Sequence, residues 1–154
     1  MKYCVRVVVQ RVLEARVTVQ NQPIAAIGRG LLLFVGFAVQ DETAILERMA
    51  EKIVNLRVFA DEEGKMNRSV VDIEGAVLSV SQFTLYGDVK RGRRPSFTAA
   101  APPEHARHLY QAWNTLLSRS GLVVQTGSFG ADMKIALVND GPVTLWLDSD
   151  ELFR

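Results

Sequence analysis

The sequence predicts a single α+β domain, in which a mixed, largely antiparallel sheet curls into a barrel-like core covered by about two helices. Three observations carry this. The chain has 154 residues, the size of one hydrophobic core. Its first forty residues alternate apolar and polar positions, and similar stretches return after residue 75 and after residue 121, which is the pattern of strands. Only two stretches, residues 41–56 and 103–121, repeat apolar residues at helical spacing, too few for successive βαβ units.

From Tyr3 to Gln20, Val5, Val7 and Val9 fall on one face, and Ala15, Val17 and Val19 resume the alternation after a break. Asn21-Gln22-Pro23 is a turn before Ile24, and Gly28-Arg29-Gly30 is another before Leu31–Val35, so this region reads as a meander of three or four strands. The glycine pair does not extend into G-x-G-x-x-G, because residue 33 is Leu, and a nucleotide-cofactor reading loses its main support. Asp41 is placed to cap a helix that carries Ile45, Leu46, Met49, Ala50, Ile53 and Val54 on one face and runs to about Leu56.

Arg57–Ala60 then reads as a short strand, Asp61–Lys65 as a turn, and Ala76–Leu85 as a longer strand. The second helix opens after Pro102-Pro103, buries Ala106, Leu109, Tyr110, Trp113, Leu116 and Leu117, and stops at Gly121. Leu122–Thr126, Asp132–Val138 and Val143–Leu147 complete about eight strands. Asn139-Asp140-Gly141-Pro142 predicts a hairpin between the last two, although Pro142 removes a backbone donor just where pairing would start. The whole chain, 1–154, is one domain with no repeat and no linker.

Composition narrows the function classes. Apolar residues make up 48% and Gly plus Pro only 16 residues, which excludes disordered and collagen-like chains. The longest nearly uncharged apolar run, Gly30–Val39, is half of the roughly 20 residues a membrane helix needs. The valines of the N-terminus are interrupted by Arg6, Gln10 and Arg11, so no secretory segment can be drawn. A single Cys4 allows neither a disulfide framework nor a cysteine-based zinc site. The expectation is a cytoplasmic protein without metal or cofactor and without a membrane partner. Net charge is +1, so any contact with nucleic acid must be local. The place to look is Asp88–Pro95, where Lys90, Arg91, Arg93 and Arg94 surround Gly92; a solvated loop is the alternative.

A hydrolase ordinarily needs a nucleophile, a base and an oxyanion stabiliser within mutual reach. The base is missing here. His105 and His108 are the only histidines, three apart on the second helix, where a structural or surface role is expected and no third metal ligand is nearby. The acids fall on helix faces or in a turn, and no carboxylate pair stands out. What remains is hydroxyl and small residues in three places: Ser81-Gln82-Phe83-Thr84-Leu85, the glycine-rich turn Gly127–Ala131, and Asn139-Asp140-Gly141-Pro142.

Taken together, Ser81-Gln82-Phe83-Thr84-Leu85 and Asn139-Asp140-Gly141-Pro142-Val143-Thr144 resemble the two signature motifs of the D-aminoacyl-tRNA deacylase family, also called D-Tyr-tRNA deacylases. Gln10-Arg11-Val12, Gly64-Lys65-Met66-Asn67, Arg94-Pro95-Ser96-Phe97 and Gly127–Met133 follow the family's order, so the resemblance covers nearly the whole chain. It implies hydrolysis of the ester that joins a D-amino acid to the 3′ end of tRNA, with glycyl-tRNA, including tRNA-Ala mischarged with glycine, as a second substrate. It also implies a homodimer with active sites at the interface, the Gly141-Pro142 pair presented across it, and a cis peptide at that pair. The partner would be the acceptor end of tRNA rather than DNA. By the same analogy, main-chain groups of Phe83 and Ala101 would bind the substrate carbonyl, those of Phe129 and Gly141 its amino group, and Met133 would line the pocket.

The resemblance fits the missing base. An aminoacyl ester is already activated, and the terminal ribose carries a 2′-hydroxyl that can assist attack, so the protein need supply mainly positioning and backbone donors. Thr84, with Ser81, Gln82 and Phe83 around it, is the candidate nucleophile if a side chain is required, but a threonine without a base is weak. RNA-assisted hydrolysis is the favoured expectation. If rigid carbonyls grip the amino group, a D-residue can turn its side chain to solvent, whereas the L-isomer drives Cβ into the backbone. Lys90, Arg91 and Arg93 would then lie near RNA phosphates, while Arg11 and Arg94 would brace turns through carbonyl groups. Two other readings stand beside this one: a non-catalytic domain that binds the end of tRNA, and a serine esterase using Ser81 with His105 or His108.

Overall fold

The computed structural model of the chain describes residues 4–153. Three antiparallel strands open it, β1 (Arg6–Val19), β2 (Gln22–Ile27) and β3 (Gly30–Gly36). β1 runs unbroken for 14 residues, and β3 lies along its first half and β2 along its second. The break in the valine pattern therefore is not a strand end. Val5, Val7 and Val9 belong to the larger core, while Val12, Ala15 and Val17 face a second cluster with Ala25, Ile27, Leu32, Leu78 and Val80. Between these two sets the pairing of β1 with the last strand slips twice, at Gln10/Val12 and at Val12/Glu14. At the first slip the extra residues lie in β8, and at the second one lies in β1, which moves the following β1 side chains to the opposite face, as a period-two strand requires.

Helix α1 (Thr43–Val54) follows, with Ile45, Leu46, Met49, Ala50, Ile53 and Val54 buried. Its N-cap is Glu42, not Asp41. Asp41 is only 1% exposed and accepts the N–H groups of Ala38 at 2.5 Å and Cys4 at 2.8 Å, tying the end of β3 to the start of the chain. Burial outweighs these bonds and pushes its carboxyl above the usual range. Strands β4 (Phe59–Ala60) and β5 (Met66–Arg68) then form a two-stranded ribbon; β5 was not foreseen, because only three residues pair and none of them is buried.

β6 (Ala76–Ser81) lies parallel to β3. The strand expected to reach Leu85 stops at Ser81, and Phe83–Tyr86 form a 3-10 turn. Tyr86 explains the stop. Its buried hydroxyl donates to the carbonyls of Gly36, at 3.0 Å, and Cys4, while its ring covers Gly36, where a Cβ would lie 2.8 Å from a ring carbon. Tyr86 thus pins the turn to the end of β3.

Helix α2 (Pro103–Ser118) packs against α1 and buries its expected face, with Trp113 fully enclosed. β7 (Val123–Thr126) is parallel to β6, and β8 (Lys134–Asp148) is antiparallel to β1, giving a six-stranded mixed sheet with α1 and α2 over one side of the core. A third helix, α3 (Ser149–Leu152), occupies the acidic tail; Asp148 caps it by accepting the Asp150 N–H at 2.8 Å. The expected count of two helices is thus one short, because a four-residue helix shows no apolar period to read. Among the described residues no helix is long and apolar enough to cross a membrane.

The expected hairpin at Asn139–Pro142 is absent. β8 continues past it along β1, with Asn139 opposite Val12 and Thr144 opposite Gln10, so residues 140–143 bulge out of the ladder opposite Arg11. A hairpin would turn the chain back on itself, but both halves of β8 already have a partner in the long β1.

Candidate active site

A cavity of about 580 Å³ opens where β3 and β6 end. Gly36 and Phe37 form its floor together with Val80–Phe83, and Phe97, Ala100–Pro103 and Ala106 form one side. Phe129–Met133 and Ile135 complete it. The ends of two parallel strands meet the start of α2 here, so main-chain groups released from the sheet ladder border the space.

The signature residues fall in two groups. Ser81, Gln82, Phe83, Ala101, Phe129 and Met133 all border the cavity. Thr84 does not; it is exposed, and its hydroxyl accepts a hydrogen bond from Gln82 Nε2. Phe83 opens the 3-10 turn, a position whose N–H has no carbonyl within the turn to bond. Its ring, 54% exposed, meets Phe97 edge-on with centroids 5.1 Å apart. The Ala101 N–H is taken by the Phe37 carbonyl at 2.8 Å, which leaves its own carbonyl as the main-chain polar group at the cavity wall. Met133 folds back over Gly127, where a Cβ would sit 2.7 Å from its sulfur; only glycine leaves that space.

Gly141 and Pro142 form the second group and do not border the cavity of their own chain. β8, which carries them, is separated from β6 by β1 and β3. Their peptide bond is cis, and Gly141 has φ +133°, a backbone conformation that side chains rarely adopt. A Cβ there would approach Arg11 Nη2 to 2.8 Å. Arg11 spans the bulge: Nε donates to the Asp140 carbonyl at 2.9 Å and Nη1 to the Val58 carbonyl at 2.6 Å. Both residues are exposed, so the bulge is held from behind by Arg11 and presented outward.

The site contains little that can move a proton. The only ionisable side chain bordering the cavity among the described residues is Asp132, which is 89% exposed and paired with Lys134 at 3.0 Å. His105 Nε2 lies 3.3 Å from the Asp41 carbonyl, His108 is exposed, and neither hydrogen-bonds Ser81 among the described residues. The serine-esterase arrangement is therefore not assembled.

The basic loop is closed by paired backbone bonds between Asp88 and Ser96, at 2.7 and 2.9 Å, with Gly92 at φ +65°. Lys90, Arg91 and Arg93 are exposed and make no ion pair among the described residues. Arg94 is likewise exposed and, among the described residues, makes no ion pair or side-chain hydrogen bond, unlike Arg11; the loop ends are held by the backbone bonds between Asp88 and Ser96. The loop leads directly into Phe97 and so stands at the cavity rim. Two positioning residues were missed from the sequence. Tyr110 donates to the Ser79 carbonyl at 2.6 Å with its ring 6.1 Å from that of Phe129, and Arg107 lies 4.7 Å over the Phe129 ring. Tyr110 reads as one more apolar position of α2, and nothing in the local pattern singles out Arg107.

The chain is similar to known proteins over nearly its full length. A family model described as D-Tyr-tRNA(Tyr) deacylase matches residues 8–148. A D-aminoacyl-tRNA deacylase of Thermotoga petrophila is 57% identical over 148 residues, which is 96% of this chain and 99% of that protein. One of Thermus aquaticus is 55% identical over 146 residues, 95% and 96% of the two chains. Among solved structures, a c-Myc DNA unwinding element binding protein superposes with a TM-score of 0.86 at 44% identity, covering 92% of this chain and 97% of that one. A probable eukaryotic D-amino acid tRNA deacylase shares the fold, with a TM-score of 0.81 over 94% and 99% of the chains at 19% identity. With the two motifs set on one curled sheet and the match running from β1 to the end of β8, the chain belongs to the D-Tyr-tRNA(Tyr) deacylase family.

Proposed function

We propose that this protein hydrolyses the ester of D-aminoacyl-tRNA to free tRNA and D-amino acid. The observation that carries this is the 57% identity to a D-aminoacyl-tRNA deacylase across 96% of the chain. The cavity is compatible with it: an activated ester needs positioning and hydrogen-bond donors more than a strong base, and the cavity offers main-chain groups and no buried acid or imidazole.

In this reading the ester lies beside Gln82 and Phe83, with the Phe83 N–H facing the charge that develops on the carbonyl oxygen. The ribose 2′-hydroxyl assists the attacking water, and Thr84 is not a covalent nucleophile. The amino group is gripped by main-chain carbonyls of Phe129 and of Gly141 from a second copy of the chain, which brings the Gly141-Pro142 bulge to a cavity that it does not border in its own chain. The working unit is accordingly a homodimer with active sites at its interface, acting in the cytoplasm on the acceptor end of tRNA. Glycine, which has no side chain to exclude, is accepted as well, including on tRNA-Ala. Lys90, Arg91 and Arg93 lie along the acceptor-stem phosphates, where contact is electrostatic and independent of sequence.

Deacylation of D-Tyr-tRNA and L-Tyr-tRNA by the purified protein tests the reading. Release of D-tyrosine with L-Tyr-tRNA left intact is expected; binding without turnover would instead indicate a non-catalytic tRNA-end binding domain.

A further inference from the structure

The cavity has two aromatic edges. One is the Phe83–Phe97 pair, reached by the basic loop. The other is Phe129, and above its ring, at 4.7 Å, lies the guanidinium of Arg107 on α2. Arg107 is exposed and forms no salt bridge or side-chain hydrogen bond among the described residues, although Glu104 precedes it by one helical turn. Stacking on an aromatic face fixes the plane of a guanidinium while leaving its N–H donors free along the edge. An arginine held over a ring with its donors unspent is preorganised for a planar or tetrahedral oxyanion, and phosphate is the anion such a fork fits bidentately.

We infer that Arg107 binds a backbone phosphate of the 3′-terminal single strand of the tRNA substrate, on the α2 side of the cavity and apart from the contacts of the basic loop. The inference rests on the deacylase reading above: with the aminoacyl group and ribose inside the cavity, the chain that leaves the ribose crosses the rim, where Phe129 borders the cavity with Arg107 over its ring. Tyr110, whose hydroxyl is fixed by the Ser79 carbonyl at 2.6 Å, supports Phe129 from below and so sets the height of the guanidinium. Arg107 is a positioning residue; it touches RNA and not the ester.

The test compares Arg107→Gln and Arg107→Lys with the unaltered protein on two substrates, D-Tyr-tRNA and D-tyrosyl-adenosine, which keeps the ribose and its 2′-hydroxyl but has no phosphate. For Arg107→Gln, KM for D-Tyr-tRNA should rise about five- to tenfold with kcat within twofold. The slope of log KM against log salt should fall by about 0.7, the increment for one single-strand phosphate. KM for D-tyrosyl-adenosine should change less than twofold, and Arg107→Lys should retain the salt slope because it retains the charge. An unchanged slope in Arg107→Gln, or an equal rise in KM for both substrates, would overturn the inference; the latter would mean that Arg107 only shapes Phe129. If the unaltered protein releases no D-tyrosine from either substrate, the deacylase reading itself fails and this inference with it.

Discussion

Asn139 grips the backbone of Val143 at two points: its Oδ1 accepts the Val143 N–H at 2.8 Å, and its Nδ2 donates to the Val143 carbonyl at 3.2 Å. The side chain takes the place of a neighbouring strand for a residue that the bulge has lifted out of the β1–β8 ladder. Asn139→Ala should destabilise the fold by about 1–3 kcal/mol, the cost of unpaired backbone groups where they are half buried. It should also lower kcat/KM on D-Tyr-tRNA at least tenfold, because the two residues presented between the ends of that ring lose their support. Urea unfolding and initial rates on the same preparation check both; a stable variant with full activity would show that the bulge holds itself.

Arg11 reaches two carbonyls that belong to different parts of the chain, Asp140 in the bulge and Val58 ahead of β4. A lysine has one donor centre and cannot bridge both at these distances. Arg11→Lys should therefore lose about 1.5–3 kcal/mol of stability, the worth of one hydrogen bond from a charged donor, and Arg11→Ala more, because it gives up both. Full retention of stability by Arg11→Lys, read in urea unfolding, would contradict the two-point brace.

The hydroxyl of Thr84 is exposed and receives a hydrogen bond from Gln82, and no base contacts it among the described residues. Thr84→Ala should keep kcat within about fivefold, far from the roughly 10²- to 10⁴-fold that removal of an acid–base partner costs. A tRNA ending in 2′-deoxyadenosine should lose more than the variant does. Trapping of an acyl group on Thr84 would reverse the assignment.

The Cys4 thiol is pushed up to about 11, first by burial and then by the hydrogen bond and charge of Asp148, whose carboxylate oxygens lie 3.3 and 3.4 Å from its sulfur. Because the folded state holds this proton more tightly than the unfolded chain, the associated stability is complete below pH 9 and is lost as pH rises towards 11. Iodoacetamide should label the native protein slowly at pH 8 and the urea-unfolded protein rapidly. Asp148→Asn should shift the onset of native labelling to lower pH; labelling of the native protein at the unfolded rate would refute the assignment.

Much of the fold could be read from side-chain periodicity, and the misreadings share a physical cause. The valines of β1 lose phase at Val9–Val12, which looked like a strand boundary; in fact the strand continues and changes face at bulges. Asn139-Asp140-Gly141-Pro142 has the composition of a hairpin turn, and only the long partner β1 makes it a bulge, a relation between residues about 130 positions apart that local preference does not encode. Asp41 has the residue type of a cap but is drawn inward by the N–H groups of nearby Ala38 and distant Cys4. At the site, the motif residues bordering the cavity were named through the family resemblance alone, since the local pattern carried the strand on to Leu85 and gave no sign of its end at Ser81. The roles of Tyr110 and Arg107 were not legible, since they depend on where the ring of Phe129 lies.

The separation of Gly141-Pro142 from the cavity of their own chain has a genetic consequence. On the proposed dimer, each catalytic centre draws one half from either polypeptide, so a lesion in the bulge and a lesion at Gln82–Phe83 damage different halves. Two such defective alleles expressed in one cell should complement each other: mixed assemblies would pair the intact half of one product with the intact half of the other, restoring one working centre per pair where neither allele alone yields any.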